Sequence, residues 1–569
     1  MAKKPANLIY GLEEKPPLTT ATLLGVQHVF VMTAGWVLVI VVATTIGASR
    51  EEVTNVLRMS MIASGIATIL QSLRQSPVGS GYLCPISGGP AYISASILAG
   101  KAGGLRLVFL MTLISGLFEA LLARLLPRLR PLFPPEVTGL VVTMVGLELI
   151  GLGSPRFLGF KETRPGLDPS VTLVATIALS AMIGPTVWGR GKLRLYPLLI
   201  GMAAGYASAY LLGVLETARL KEMFAVPMFS LPRRAQTGWA FDFAILPAFL
   251  IASLASTLKS VGDLTLCQKI NDADWKRTDM QSVSGGVLAG AIGTGLSGVL
   301  GGIGQSTFSS NVGLSLATGA TSRFIAIPTG ILMVSLAFLP KLAAFFAVMP
   351  DPVMGAILVY VACYMILAGI QVITSRMLDA RRTFVVGIAL IFGLSMDMIP
   401  GLYRGVPNAV QPLVSSSLAI STVLVVFLNL IFRIGITKRQ MLRLTPGLDS
   451  SQAIFDFMET QGGTWGARRE VIQRATAALN EFFETATAHR LVDGKLEAEV
   501  SFDEFNLDVD IRYAGRLMEF PALRPTAGAL LEDETALASL SGFLIRQYAD
   551  RLRSEAVNGG CRIQLHFDH

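Results

Sequence analysis

Two ionisable residues stand four apart in an apolar stretch, Lys259 and Asp263 in KSVGDLTLC. That spacing puts both on one helix face, where they can pair. A charge at membrane depth costs about 3 kcal/mol on insertion scales, so such residues face a cavity or each other. Lys259 can therefore contact an anion or a carbonyl group, with Asp263 as its partner or as a proton carrier. A purely structural ion pair is the alternative. His28, in GVQHVFVM, is the one histidine outside the C-terminal stretch that holds His489, His566 and His569. Its titration range suits proton relay, while the Gln27-His28 pair can equally be a packing element beside a site. Asn311 offers both donor and acceptor at the start of a half-helix, whose amides could also attract an acceptor or anion. Glu119, Glu148 and Asp397 fall in or near apolar stretches too, and structural pairing is the role expected of them.

These residues need elements to position them. Stretches long enough to cross about 30 Å, or to enter a bilayer as broken helices, span 22–47, 55–73, 84–100, 104–127, 136–153, 169–188, 195–215, 243–268, 281–302, 308–320, 325–348, 353–373, 382–399 and 413–432. Fourteen segments put both termini on one side. Lys3, Lys4 and Lys15 before the first, and Arg433, Lys438, Arg439 and Arg443 after the last, make that side cytoplasmic. No small-residue cleavage site follows the first apolar stretch, so no removable signal peptide is expected. Residues 77–91 (PVGSGYLCPISGGPA) and 301–313 (GGIGQSTFSSNVG) are crowded with Gly, Pro and Ser. A bilayer tolerates non-helical backbone only where it is buried in protein or lines a cavity. They fall in the third and tenth segments, the same place in each half of seven. Paired interruptions of this kind mark a transporter's central site, although two purely structural re-entrant loops would read the same.

Composition agrees. The 569 residues are 52% hydrophobic and 15% charged, with a mean hydropathy of +0.57, against about 25% charged in soluble proteins. This is a polytopic membrane protein. Cys84, Cys267, Cys363 and Cys561 lie far apart without a CxxC pair, so neither a disulfide framework nor a structural zinc site is expected. Residues 441–569 hold 13 Lys/Arg against 20 Asp/Glu, a net of −7, which leaves +15 for residues 1–440. No basic stripe with interleaved aromatics accompanies that charge, so nucleic acid is not an expected partner. The membrane part offers no hydrolytic nucleophile set, metal cluster or P-loop. An ion gradient, H⁺ or Na⁺, must then supply the energy, with no cofactor and no enzyme activity.

The motifs resemble one family. Gln27-His28 stands where nucleobase–ascorbate transporters (the nucleobase:cation symporter-2, uracil/xanthine permease family) carry a Gln-His pair. Residues 133–150, FPPEVTGLVVTMVGLELI, are similar to the family's fifth span, and KSVGDLTLC to its ESIGDY-like eighth. Ser310-Asn311-Val312-Gly313 followed by Thr318-Gly319 fits the tenth-span signature except at its first position. The ordered set covers about residues 20–435. The resemblance implies an all-α membrane domain of fourteen spans in two inverted seven-span repeats, with core and gate domains and short unwound or β stretches in segments 3 and 10. It also implies uptake of purines, pyrimidines or similar rings in a homodimer of the bacterial inner membrane. Lys259, Asp263, Ser310, Asn311, Gln27, His28, Pro90, Ala91 and Phe308 would meet the substrate, with Asp263 and His28 carrying the coupling ion or proton.

The departures bear on the substrate. Lys259 replaces the family's substrate-binding glutamate, Ser310 its second acidic or amide residue, and Gly290 an acid found in some ninth spans. A carboxylate only accepts hydrogen bonds and an ammonium only donates them. An anionic or oxo-rich ring such as urate or xanthine therefore fits better than uracil. A transporter of organic anions, or a transporter-like receptor signalling through its C-terminal region, is the competing reading.

Past a cytoplasmic N-terminus (1–20), the transporter domain (21–435) and a linker (436–449), residues 450–569 change to soluble α/β patterning. A helix is expected near 467–489, strands at 496–502 and 506–513, a helix near 535–553 and a final strand at 561–567. The order weakly resembles the histidine-kinase-type ATPase fold of anti-sigma factors. That family's Glu-x3-Asn reads Glu481 and Thr485 here, and its Asp-x-Gly-x-Gly lacks the Asp near Tyr513-Ala514-Gly515. A regulatory or assembly module for a protein or nucleotide is expected rather than an ATPase, with an unrelated small α/β domain as the alternative.

Overall fold

In the computed structural model, residues 3–569 are described except 7, 75–76, 130–133, 161–165, 190–195, 216, 237, 274, 276–277, 376, 400, 404, 408–413, 415, 433, 435–438, 504–505, 526–533 and 558–559. Arg433 and Lys438, and the starts of the stretches expected at 195–215 and 413–432, lie outside the described residues. The chain divides into two compact units, Met1–Ile373 with Val386–Phe427 and Thr374–Val385 with Leu428–His569.

The first unit is helical. Its elements are α1 (Leu18–Thr45), α2 (Arg50–Gln71), β1 (Ile86–Gly88), a 3-10 turn (Pro90–Tyr92), α3 (Ile93–Leu129), α4 (Pro135–Leu158), α5 (Pro169–Val187), α6 (Pro197–Leu211) and α7 (Thr217–Ala225). Then come α8 (Leu246–Asn271), α9 (Met280–Leu300), β2 (Gln305–Thr307), α10 (Ser309–Thr318), α11 (Ala326–Leu336), α12 (Pro340–Ala347) and α13 (Asp351–Ile373), followed by α14 (Ala380–Met398) and α15 (Ser417–Phe432), which run into the second unit. Among the described residues, eight helices are long and apolar enough to cross a membrane, nine if one bent pair counts as a single span. This is an integral membrane protein. α3 breaks at Gly103–Gly104, where Gly104 takes φ +68°, a left-handed backbone that glycine adopts without penalty. The break falls between the expected third and fourth segments. The expected single span 325–348 is instead bent by 82°. Pro340 is the reason, since it has no N–H to continue α11 and its fixed φ suits the first position of a new helix, α12.

Two bundles make up this unit. α3 packs on α9 and α8, and α2 on α9 and α11, while α4 packs on α13 and α5 on α6 and α13. Glycine permits the closest approaches. A Cβ on Gly116 would stand 2.4 Å from the Gly295 nitrogen, and one on Gly139 2.7 Å from the Gly369 carbonyl oxygen. Small residues let membrane helices pack backbone to backbone, where dispersion replaces the missing hydrophobic drive.

The second unit contains β3 (Arg439–Leu444), α16 (Ser451–Trp465), α17 (Arg469–Ala488), β4 (Val492–Phe502), β5 (Asn506–Gly515), α18 (Glu534–Tyr548), β6 (Arg551–Val557) and β7 (Gly560–Asp568). The five strands form one antiparallel sheet in the order β3-β4-β5-β7-β6. Alternation sends Leu496, Ala498 and Val500 of β4, Val509 and Ile511 of β5, and Ile563 and Leu565 of β7 into one core with Ile472, Leu479 and Phe482 of α17. Several elements differ from expectation. α16 and β6 have no counterpart among the expected elements. β3 lies inside the stretch read as a linker, and the helix expected to reach 553 ends at Tyr548. Arg474 holds that end, donating to the Tyr548 carbonyl (Nη2, 2.6 Å) and to Asp550 Oδ1 (2.9 Å). The chain then turns, and the Asp550 amide donates to the His566 carbonyl as β6 joins β7.

Candidate functional site

β1 and β2 are the two interruptions, and they pair with each other. Ile86 stands opposite Thr307, Ser87 opposite Ser306 and Gly88 opposite Gln305. The Gly89 amide donates to the Gly304 carbonyl (2.8 Å) and the Phe308 amide to the Pro85 carbonyl (3.0 Å). Side chains satisfy the rest of the freed backbone. The Ile86 amide donates to Thr68 Oγ1 (3.0 Å), and Thr294 Oγ1 both donates to the Gln305 carbonyl (3.1 Å) and accepts from its amide (3.2 Å). Gln305 itself accepts from Ser64 and donates to the Ile303 carbonyl (2.9 Å) and Ser297 Oγ (3.2 Å). These bonds hold the non-helical backbone inside the protein. Glycine is required where other groups crowd it: a Cβ on Gly304 would lie 2.3 Å from the Tyr92 ring, and one on Gly88 2.6 Å from the Gly35 carbonyl oxygen of α1.

Each half-helix starts directly beyond its strand, α3 through the Pro90–Tyr92 turn and α10 after Phe308. The positive end of each half-helix dipole therefore lies next to the strand pair. Pro90, Ala91 and Phe308 are buried there.

The charged pair of α8 attaches to the same strands. Lys259 Nζ donates to Asp263 Oδ2 (2.9 Å) and to the Thr307 carbonyl (2.6 Å), and Thr307 Oγ1 donates to Asp263 Oδ2 (2.6 Å). Lys259 and Asp263 are 2% and 7% exposed, so the pair is buried and engaged with β2. The neutral residues are in the opposite condition. Asn311 is fully buried with neither amide atom hydrogen-bonded among the described residues, and the same holds for His28 Nδ1 and Gln27 Oε1. His28 and Asn311 interact side chain to side chain, but Asn311 Oδ1, Asn311 Nδ2 and His28 Nδ1 reach no hydrogen-bond geometry among the described residues. Gln27 Nε2 donates to the Tyr196 hydroxyl (3.3 Å) at the start of α6. Ser310 is exposed. Gly290 is buried, yet a Cβ there would meet no heavy atom within 4 Å. The structure therefore brings Gln27, His28 and Asn311 to the paired interruptions with free polar atoms, and leaves Ser310 outside.

The site contains residues that sequence reasoning did not select. Gln305 and Thr307 fasten β2, and their place inside the interruption was the available signal. Glu119 of α3 is 3% exposed among the hydroxyls of Tyr92, Ser256 and Thr294. Glu148 of α4 accepts a hydrogen bond from Ser94, at the start of α3.

Two helices thus break side by side, with a buried ion pair fastening one strand and, beside the breaks, buried amide and imidazole atoms that form no hydrogen bond among the described residues. The xanthine/uracil permease model, described as Permease family, matches residues 19–402. The chain belongs to this permease family. Two similar relatives are the xanthine permease XanQ of Escherichia coli K12, 28% identical over 79% of this chain and 98% of its own, and the uric acid permease PucJ of Bacillus subtilis 168, 27% identical over 76% and 97%. Among solved structures, the murine Solute Carrier 26 family member A9 anion transporter in its inward-facing state aligns with a TM-score of 0.51 and 9% identity, covering 77% of this chain and 72% of that one. That likeness concerns fold alone. Relatives in this family are transporters, not enzymes.

Proposed function

We propose that this permease is an H⁺- or Na⁺-coupled symporter for an oxo-rich purine, xanthine or urate ahead of uracil. The observation that carries the reading is the set of buried, unpartnered polar atoms on Gln27, His28 and Asn311 beside the paired breaks. Buried polar groups lacking partners cost about 1–3 kcal/mol each, and a polar ring bound there would return the bonds. Asn311 Nδ2 is a donor suited to a ring carbonyl oxygen, and the positive ends of the two half-helix dipoles favour the same atoms. The Lys259 charge near Thr307 favours the same ligands at longer range. His28, with Nδ1 free, is better placed to take a proton than Asp263, whose Oδ2 already has two donors. The names of the relatives, a xanthine and a uric acid permease, support the same ring class.

Within this reading the paired third and tenth breaks belong to fourteen segments in two inverted repeats. α4, α5, α6 and α13 act as the gate bundle of a homodimer in a bacterial inner membrane. Both termini are cytoplasmic, and residues 436–569 form a regulatory module rather than a catalytic one. Concentrative uptake of labelled xanthine and urate into proteoliposomes, under an imposed proton or sodium gradient, tests the proposal. Uptake abolished by dissipating one of the two gradients is the expected result, and equilibration insensitive to both gradients refutes coupling.

A further inference from the structure

Among the described residues, hydrogen bonds that cross between the two bundles of the membrane unit include Gln27 to Tyr196 (3.3 Å), Arg156 Nη2 to Thr45 Oγ1 (3.0 Å), and Ser94 to Glu148. The third places a carboxylate against the second residue of α3, three residues past Ala91 in the turn that opens the half-helix. Glu148 has no cationic partner among the described residues. Its surroundings are the hydroxyls of Ser94 and Ser416 and the like charge of Asp397. A carboxylate only accepts hydrogen bonds, and at membrane depth it needs donors stronger than one or two hydroxyls. Other acceptors are neutral or enclosed: Asn311 Oδ1 and Gln27 Oε1 carry no charge, and the Glu119 carboxyl is ringed by the hydroxyls of Tyr92, Ser256 and Thr294. Lys259 can only donate, Asp263 Oδ2 is already engaged, Ser310 is exposed and Gly290 has no side chain. A purine with ring N–H groups as well as carbonyls requires an acceptor, and Glu148 stands beside the start of the broken segment with only hydroxyl donors of its own.

We propose that Glu148 accepts a ring N–H of the transported purine and sets the specificity of the permease, its bond to Ser94 being the one exchanged for the ligand. The proposal rests on the oxopurine reading above. It moves the N–H acceptor from the eighth helix, where Lys259 now stands, to the facing bundle.

Binding of xanthine and of its 1-, 3-, 7- and 9-methyl derivatives to the purified full-length protein tests it. Wild-type protein should discriminate against the derivative that blocks the contacted N–H. Glu148→Gln should weaken xanthine binding roughly 10- to 100-fold, the range for a hydrogen bond to a charged group, and should erase discrimination against that one derivative. Glu148→Asp, which keeps the carboxylate should the glutamine variant not fold, should bind more weakly yet still discriminate. Ser94→Ala, which removes only the competing donor, should keep both affinity and discrimination. Wild-type affinity in Glu148→Gln, or an equal loss in Ser94→Ala and Glu148→Gln with discrimination unchanged, would overturn the assignment and leave a bond that merely fastens the bundles. Wild-type protein that binds none of these rings refutes the oxopurine reading itself, and the assignment with it.

Discussion

Lys259 and Asn311 are both buried within a few residues of strand β2, and they are left in opposite states. The ammonium has a carboxylate and a backbone carbonyl within 3 Å, whereas the carboxamide has no hydrogen bond among the described residues. The difference follows from energetics. An ion left alone in a low-dielectric interior costs several kcal/mol, so a charge must be paired as the chain folds. A neutral amide left unpaired costs about 1–3 kcal/mol, which a fold can carry until a ligand arrives. On the proposed reading, the charged residues position the broken segment and the neutral ones bind the ligand.

The largest expected effect tests the positioning half of that comparison. Lys259→Ala strands Asp263 in the interior and removes a donor from the Thr307 carbonyl, so it should lower stability by about 3–5 kcal/mol. Thermal unfolding of the detergent-solubilised protein measures this. The double variant Lys259→Ala/Asp263→Ala should recover part of the loss, because no uncompensated charge remains. A Lys259→Ala protein as stable as wild type that has lost its ligand would reverse the assignment and make Lys259 a binding residue.

A smaller effect, on affinity rather than folding, is expected at Asn311. Asn311→Ala removes two atoms that form no hydrogen bond of standard geometry among the described residues, so the melting temperature should hold. Xanthine binding should weaken about tenfold, the order of one or two neutral hydrogen bonds. Isothermal titration beside a thermal melt separates the two readouts. A loss of stability with unchanged affinity would place the ligand elsewhere.

The contrast between these clusters was partly legible in the sequence. Gly, Pro and Ser crowding in 77–91 and 301–313 announced both breaks, because those residues cannot sustain a helix through a bilayer. The four-residue spacing announced the Lys259–Asp263 pair, and Pro340 carried the signal for the bend that the reading of 325–348 passed over. Partners far apart in the chain were not legible. Lys259 meets Thr307 48 positions away, Ser94 meets Glu148 54 away, and Gln27 meets Tyr196 169 away. Those meetings are decided by how the bundles pack, which one chain's periodicity does not encode. In the tail, alternation located β4, β5 and β7, but the end of α18 depends on Arg474, more than seventy positions earlier.

The smallest expected effect sharpens the comparison by moving an ion pair into water. Asp510, on the polar face of the tail sheet, accepts from Arg562 (Nη2, 2.5 Å) and Arg512 (3.1 Å). Burial pushes its carboxyl up, but the two guanidinium groups more than offset this and hold it below the ordinary carboxylate range. A depressed folded value means that the pair adds stability above the unfolded value of about 3.9, and that this is lost as pH falls through the folded value. The arginines stay solvated, so Asp510→Asn should cost far less than Lys259→Ala. The cost should vanish once acid has protonated the wild-type carboxyl. Tail cleavage in the full-length protein by an acid-tolerant protease tracks the opened population when reclosing is fast. The variant should be cut slightly faster than wild type at pH 7 and at the same rate near pH 2. A penalty as large as that of Lys259→Ala would mean that the interior location of a pair does not decide its worth, and the explanation for why Lys259 is engaged while Asn311 is free would fail with it.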